Sequence, residues 1–312
     1  MKLKVNDYNG RLDIYLSSQV DKSRSQIQKI IKKDQVFVNG KLASSHYNLK
    51  NNDIIDINFK VIKKNNTLPT KEKIIKDYEI VADTENYFII NKPAGLIMHG
   101  GEHITETTLI DLLLKKFPKL KKVGEDPFRP AIVHRLDKEV SGLVIIPKNN
   151  EFFEYIKECF KKRKVKKIYT ALVHGQIVKD NDIIKFPIER SSSGYKMAAL
   201  PITAKGEKNL EGREAITEFK IIKRYINYTL LSVGIKTGRT HQIRVHLSAY
   251  GHPVVGDDLY STKKVKEQNK KLNLGRIFLV ANKLEFKDIN DDKVNFQIDL
   301  PLELKNILKI IK

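Results

Sequence analysis

Apolar and polar positions divide the chain into two zones with a polar stretch between them. In residues 1–62 the pattern is short and mixed. Ile27, Ile30 and Ile31 share one face of a helix predicted over Ser23–Lys33. Ser23 is placed to cap that helix, and Arg24, Lys29, Lys32 and Lys33 are left for its solvent side. Gln35–Lys41 reads as a strand running into an Asn39-Gly40 turn, and Asp53–Asn58 as a second strand. Residues 63–77 carry lysines, asparagines and Pro69 and read as a linker. From Tyr78 onward strands and helices alternate to the end. Tyr87–Pro93 is a strand stopped by proline, and Thr107–Phe117 is a helix stopped by Pro118. Glu151–Lys162 is a helix whose Phe152, Phe153, Ile156 and Phe160 gather on one side. Strands are predicted at 168–173, 215–222 and 228–235. Thr240–Tyr250 is a helix in which Ile243 and Leu247 share a face; Gly251 suits its C-terminal cap, and Pro253 follows.

Composition narrows the class of protein. A chain of 312 residues, 41% hydrophobic, suggests about two domains with a sizeable core. No run of 18 apolar residues appears, so no membrane span is expected. The N-terminal residues lack the apolar stretch of a secretory leader. The single cysteine, Cys159, excludes an internal disulfide framework and reads as half-buried filler. These features together predict a cytoplasmic protein.

Charge says more. Lys and Arg number 58 against 37 Asp and Glu, a net charge of +21. Such an excess implies a polyanionic partner, nucleic acid first. The competing explanation is a lysine-rich composition with solvated lysine faces. Residues 1–76 carry +9, with sixteen basic and seven acidic side chains, so the small N-terminal part is the denser in charge. Basic side chains on one helix face give phosphate affinity without sequence reading.

Residues 134–143 read His-Arg-Leu-Asp-Lys-Glu-Val-Ser-Gly-Leu, a charged word wedged between the apolar runs Ala131-Ile-Val133 and Leu143-Val-Ile-Ile146. Asp and Arg are costly there unless paired or used. Three further words stand out: Asn91-Lys-Pro-Ala-Gly95, Lys166-Lys-Ile-Tyr-Thr-Ala-Leu-Val173 and Thr237-Gly-Arg-Thr-His-Gln-Ile-Arg-Val-His246, the last continued by Gly251-His-Pro-Val-Val-Gly-Asp257. In this order they resemble the RluA/RluC/RluD-type RNA pseudouridine synthases of the large ribosomal subunit, from about residue 80 to the C-terminus. Arg11-Leu-Asp13, Ser23-Arg-Ser25, Val36–Lys41 and Asp53–Ile57 resemble an S4 RNA-binding domain, common in front of that family. Val140 and Val280 stand where many members have threonine and histidine.

The resemblance implies an α/β (α+β) protein: an S4-like module at 1–62, a linker at 63–77, and a catalytic domain at 78–312 built on a mixed, largely antiparallel sheet flanked by helices. It implies an isomerase that converts uridine to pseudouridine in structured RNA, with large-subunit (23S) ribosomal RNA the expected substrate, and a monomer. The reaction breaks the C1′–N1 bond, turns the base and forms a C1′–C5 bond. Nothing is oxidised, reduced or added, so no cofactor is expected. The step needs a nucleophile or charge stabiliser beside the sugar and base, which a carboxylate can supply. By resemblance Asp137 is that carboxylate, and Arg239 is its charge partner, opposing the protonation that burial favours. Alternatively Arg239 binds phosphate at a helix start. Tyr169 is implied to lie against the target base, by stacking or with its hydroxyl moving a proton; ordinary strand packing is the plainer reading. Arg135 resembles the arginine that fills the space left by a flipped base, against a structural salt bridge.

RNA contacts are expected from Arg135, His134, Arg24, Lys29, Lys32, Lys33 and Lys41. A metal reading of His134, His241 and His246 fails on spacing, because His241 and His246 stand at i,i+5 with no Cys or carboxylate cluster beside them. The basic run Lys161–Lys167 reads as a solvated helix end that also meets phosphate. Two rivals remain. A non-catalytic S4-type RNA-binding or ribosome-assembly factor would have no need of Asp137, Tyr169 and Arg239 together. An S4-bearing methyltransferase wants a glycine-rich cofactor loop, and Gly100-Gly101 is the nearest candidate.

Overall fold

A computed structural model describes residues 1–20, 24–32, 35–57, 77–100, 106–191, 196–200 and 212–311. The predicted linker lies outside the described residues apart from Asp77, as do Ser23, Lys33 and the side chain of Lys29. The chain divides into two compact units, Met1–Lys73 and Ile74–Lys312.

The first unit runs β1 (Lys2–Lys4), β2 (Gly10–Arg11), α1 (Leu12–Gln19), α2 (Arg24–Ile31), β3 (Val36–Val38), β4 (Lys41–Leu42), β5 (Asn48–Leu49) and β6 (Ile54–Ile57). An antiparallel sheet of order β1-β6-β3-β4 packs against the two helices, and β2 pairs with β5. Leu12, Leu16, Ile27, Ile31, Val36 and Ile55 fill the core. The predicted turn is present: Asn39 and Gly40 both take positive φ, 50° and 76°, as a two-residue hairpin loop requires. The Asn39 amide fixes the turn to the neighbouring strand, donating to Asp53 and accepting from Ile54 N–H.

The second unit continues with β7 (Glu79–Asp83), β8 (Tyr87–Lys92), α3 (Leu109–Lys116), a 3-10 turn (Pro118–Lys122), β9 (Ser141–Pro147), α4 (Asn150–Lys161), β10 (Lys166–His174), β11 (Asn181–Ile184), β12 (Ile188–Arg190), β13 (Met197–Ala199), β14 (Thr217–Arg224), β15 (Tyr228–Ile235), α5 (Gln242–Ala249), α6 (Lys263–Leu272), β16 (Leu279–Lys287), β17 (Lys293–Gln297) and α7 (Leu302–Ile310). The large sheet has the order β11-β14-β15-β10-β16-β9-β8-β7, with β17 added beside β16. Every pairing is antiparallel except β16 with β9, so the sheet is mixed and largely antiparallel as expected.

Alternation along the strands sorts the helices. Ala171 and Val173 face one side with Leu231 and Val233, where α3 and α5 bury Leu109, Leu113, Ile243 and Leu247. Leu172, on the other side, meets Leu304 and Ile307 of α7. Ile89 and Ile145 likewise meet Phe152 and Ile156 of α4. Helix α3 begins as its sequence predicts, with a capping box between Thr108 and Asp111. The parallel junction explains one motif glycine. Gly142 has φ +127° and pairs with Ala281, and a Cβ there would lie 2.6 Å from the Ala281 nitrogen and nearer still to its oxygen. Any side chain at this position would force β9 and β16 apart.

Candidate active site

Three of the four motif segments meet at a cleft of about 580 Å³ on the α5 side of the sheet. Residues 129–140, the start of β10 and the segment from Ile235 into α5 form its walls. Asp137 is the single carboxylate among the described residues that line it.

The Asn91–Gly95 word supports the aspartate's loop from below. Lys92 is fully buried, and its Nζ donates to the carbonyls of Pro93 (3.0 Å), Leu96 (2.8 Å) and Lys138 (3.4 Å). Gly95 N–H donates to the same Lys138 carbonyl at 2.7 Å. Burial pushes the Lys92 ammonium down to about 7, against the pull of the Asp137 charge. The loop closes on itself through Val140 N–H and the Asp137 carbonyl at 3.1 Å.

Asp137 does have an arginine partner, but it is not Arg239. Arg244 Nη1 lies 3.4 Å from Asp137 Oδ2 and 3.4 Å from Glu139 Oε2. The guanidinium is itself held by Asp257, Nε to Oδ2 at 2.7 Å and Nη2 to Oδ1 at 3.1 Å, and its face lies over the Tyr260 ring. Burial alone would lower the Arg244 pKa, but the hydrogen bonds and charge of Asp257, with the charges of Asp137 and Glu139, raise it. A fork-to-fork Arg–Asp pair fixes the guanidinium plane, so the third nitrogen presents a charge of set position to Asp137.

The expected Arg239–Asp137 pair is therefore corrected. Arg239 lines the cleft, but its Nε donates to the Glu214 carbonyl at 3.0 Å and its N–H to Gln242 Oε1 at 3.0 Å. Gln242 is a buried clamp: it also accepts from Thr237 and donates to Ile216 and Thr217, holding the whole segment before α5. The physical reason is helical geometry. Arg239 precedes α5 and spends its hydrogen bonds on the loop, whereas Arg244 sits inside the helix on the side turned toward Asp137.

Tyr169 is buried at a bulge in β10 and lines the cleft. Burial, then the nearby Asp137 charge, raises its pKa above the ordinary phenol value, so the hydroxyl stays protonated at neutral pH. Arg135 stands exposed at the cleft with no ion pair among the described residues. His241, with φ 54° in the left-handed region, brings Nε2 to 3.9 Å from Asp137 Oδ2 while Nδ1 meets the Tyr260 hydroxyl at 2.8 Å. Burial lowers its pKa despite Asp137, so the ring is neutral near pH 7. Lys167 also lines the cleft, its ammonium over the Phe160 ring; burial brings it down to about 8.

Two residues expected to meet RNA also make hydrogen bonds within the protein. His134 Nε2 accepts the Ile145 N–H at 2.9 Å and its ring packs on Phe160, which leaves it a neutral strut in the cleft wall. Burial, helped by the Lys167 charge, pushes its pKa down to about 3. Arg24 donates from Nε to the buried Asp13 at 3.0 Å. Lys32 and Lys41 are exposed as expected. His246 bonds Thr217 and the Phe186 carbonyl and is buried, a packing role. Among the described residues no group of three or more His, Cys, Asp or Glu could hold a metal, and no helix is long and apolar enough to cross a membrane.

Arg244 was the residue that periodicity should have found. Residues 242–247 are all buried, so an arginine flanked by Ile243 and Val245 cannot sit on a solvent face and must be paired. Asp257, quoted in the same motif, is its partner.

Comparison with known proteins gives the family. The family signature for RNA pseudouridylate synthase matches residues 86–249, and that for the S4 domain matches residues 10–55. An uncharacterized RNA pseudouridine synthase of Aquifex aeolicus is 35% identical, covering 98% of this chain and 95% of that protein. Ribosomal large subunit pseudouridine synthase C of Vibrio parahaemolyticus is 30% identical, covering 95% and 90%. The solved structure of human RNA pseudouridylate synthase domain containing 1 superposes with a TM-score of 0.59 at 26% identity, covering 76% of this chain and 90% of that one. The chain belongs to the RNA pseudouridine synthase family and carries an S4 domain at its N-terminal end.

Proposed function

We propose that this enzyme isomerises uridine to pseudouridine in large-subunit (23S) ribosomal RNA, with Asp137 as the nucleophile. The observation that carries the reading is the isolation of Asp137: it is the sole carboxylate lining the cleft among the described residues, part-exposed, and faced by a guanidinium that Asp257 already holds. Arg244 sets a fixed positive charge beside the carboxylate and aims it, and is the positioning residue.

The ring of Tyr169 is the surface for the flipped uracil, and its protonated hydroxyl is a donor rather than a resting base. Arg135, free at the cleft mouth, takes the space that the extruded base leaves in the stack. As the C1′–N1 bond breaks and the C1′–C5 bond forms, C5 gives up its proton and N1 gains one. Lys32 and Lys41 of the S4-like module (1–62), with Lys29 and Lys33, add phosphate affinity across a linker at 63–77 to a catalytic domain at 78–312. The enzyme acts as a monomer in the cytoplasm. The relatives named for the large ribosomal subunit support the choice of substrate.

The test is a map of pseudouridines in ribosomal RNA from cells with and without the gene, paired with tritium release from 5-tritiated uridine in a 23S transcript by the purified chain without any added cofactor. Loss of one or more 23S pseudouridines together with tritium release is the expected result. An unchanged 23S map with changes confined to transfer RNA would contradict the substrate, and absence of tritium release from any RNA would contradict the chemistry.

A further inference from the structure

A second cavity of about 480 Å³ opens on the far side of Arg244. It shares Arg244 and His241 with the cleft, so the two hollows are divided by the side chains that face Asp137. Its outer wall is α6, which contributes Asn269 and Lys270, and the helix's left-handed cap Asn273. The sequence of α6 is Lys-Lys-Val-Lys-Glu-Gln-Asn-Lys-Lys-Leu, five lysines against one glutamate.

These lysines differ from those of α4. Lys157 and Lys161 on α4 and its C-cap Lys162 each reach a glutamate within 4 Å. Among the described residues no carboxylate lies within ion-pair distance of Lys263, Lys264, Lys266, Lys270 or Lys271. At 3.6 residues per turn, Lys263, Lys266 and Lys270 fall on one arc with Asn269 and Asn273; of the three lysines, Lys270 lines the cavity and the other two lie further along the helix. Lys264 and Lys271 fall on a separate arc. Of the carboxylates that line the cavity, Asp257 and Glu139 are paired with Arg244, whereas the exposed Asp258 accepts the Asn269 amide at 3.3 Å and meets no cation within ion-pair distance among the described residues. Lys270 brings an ammonium without a carboxylate partner to the rim, and Lys263 and Lys266 extend that charge along α6.

We infer that the Lys263–Lys266–Lys270 edge of α6 is a phosphate track for the RNA strand flanking the target uridine, with the neighbouring nucleotide seated in the cavity beside Asn269 and Asn273. The occupant is RNA because an unpaired row of ammonium groups complements a phosphodiester chain, and because the hollow is contiguous with the cleft that takes the uridine. This inference rests on the RNA isomerase reading and adds a second contact surface to it. Phosphate contacts of this kind set register and affinity without reading sequence.

The experiment uses the full chain and a labelled transcript carrying a uridine that the wild type isomerises. The triple variant Lys263→Gln/Lys266→Gln/Lys270→Gln keeps side-chain length and helix propensity while removing three charges. Its equilibrium Kd should rise roughly tenfold near physiological salt, and the slope of log K against log salt should become shallower by about 2, at 0.7–0.9 per lost phosphate contact. Lys264→Gln/Lys271→Gln, on the other arc, should bind within about twofold of wild type. A triple variant that matches wild type in both Kd and slope overturns the track. So does an equal loss per charge in the control pair, which would mean general electrostatics. A wild-type chain that isomerises no uridine fails at the earlier step, and that result overturns the parent reading instead.

Discussion

The tripeptide Arg-Leu-Asp occurs in both units, at Arg11–Asp13 and at Arg135–Asp137, and the two copies are put to opposite uses. In the first, Arg11 folds back on its own aspartate, Nε to Oδ1 at 3.0 Å and Nη2 to Oδ2 at 2.9 Å. Arg24 and Gln28 of α2 add two more donors, and Asp13 is completely buried. Hydrogen bonds from Arg11 hold its pKa well below the usual carboxylate range, against burial, with Gln28 and Arg24 assisting. That aspartate ties α1 to α2, with four donors from three side chains on its two oxygens. In the second copy Arg135 turns outward, and Asp137 keeps a single arginine contact at 3.4 Å with its side chain 17% exposed to the cleft. A buried carboxylate surrounded by donors is a structural part; one held from one side and open on the other can react. The local word is the same, so the difference comes from what tertiary packing brings to it.

The strongest way to break this contrast is to remove the guanidinium that holds Asp137. Arg244→Met should lower single-turnover tritium release by roughly 10²–10³-fold. It also strands the buried Asp257, at a cost of about 3–5 kcal/mol, so the assay belongs well below the unfolding transition. Arg244→Lys keeps the charge but not the two-pronged grip, and should recover part of the rate. Arg239→Met, by contrast, should stay within about tenfold of wild type, because Arg239 bonds a carbonyl and not the carboxylate. Equal losses for the two Met variants would restore Arg239 as a partner.

The opposite experiment sits in the first unit. Asp13→Asn should destabilise that unit by about 3 kcal/mol, because two arginines lose a shared charge, while tritium release at saturating RNA persists. Denaturant unfolding followed with a probe in residues 1–57 checks it; unchanged stability would show that the buried pairing carries little.

A smaller effect is expected at Tyr169. Tyr169→Phe keeps the ring against the base and removes a hydroxyl that is protonated in the resting enzyme, so the rate should fall less than tenfold. Tyr169→Ala should fall much further. A loss of 10² or more for the Phe variant, in a pre-steady-state assay, would make the hydroxyl a proton carrier.

The last is a pH effect. His134 folds neutral, with its pKa lowered to about 3 from 6.5. Below about 6.5 the unfolded chain takes up a proton that the folded chain refuses, so stability is complete above that pH and declines as pH falls toward 3. The slope from one such group is at most about 1.4 kcal/mol per pH unit. His134→Gln, whose Oε1 can take the Ile145 N–H, should flatten the stability profile between pH 6.5 and 4 relative to wild type. An identical slope would show that His134 titrates normally.

The site's motifs were legible as contiguous words, and six strands, β3, β6, β8, β10, β14 and β15, because apolar residues alternate or run unbroken there; the short strands and those with polar sequences carry no such signal. Tyr228–Ile235 and the α3 stop at Phe117-Pro118 followed from local chemistry alone. Helix α1 was missed because its buried set, Leu12, Tyr15 and Leu16, is short and interrupted by the buried Asp13. The Asp137 partner was misassigned because one motif holds two arginines five residues apart, and only the helix start between them decides which one turns inward. Nothing local shows that Arg24 also bonds Asp13, eleven residues earlier.

The central claim is that Asp137 is the reacting group and not another tied-down aspartate. Asp137→Asn is nearly isosteric and removes only the charge, so the test is single-turnover tritium release measured beside the equilibrium Kd for the same RNA. The account predicts a rate lower by at least about 10³-fold, some 4 kcal/mol of barrier, with the Kd within a few-fold of wild type. Turnover within tenfold of wild type at an unchanged Kd would contradict it.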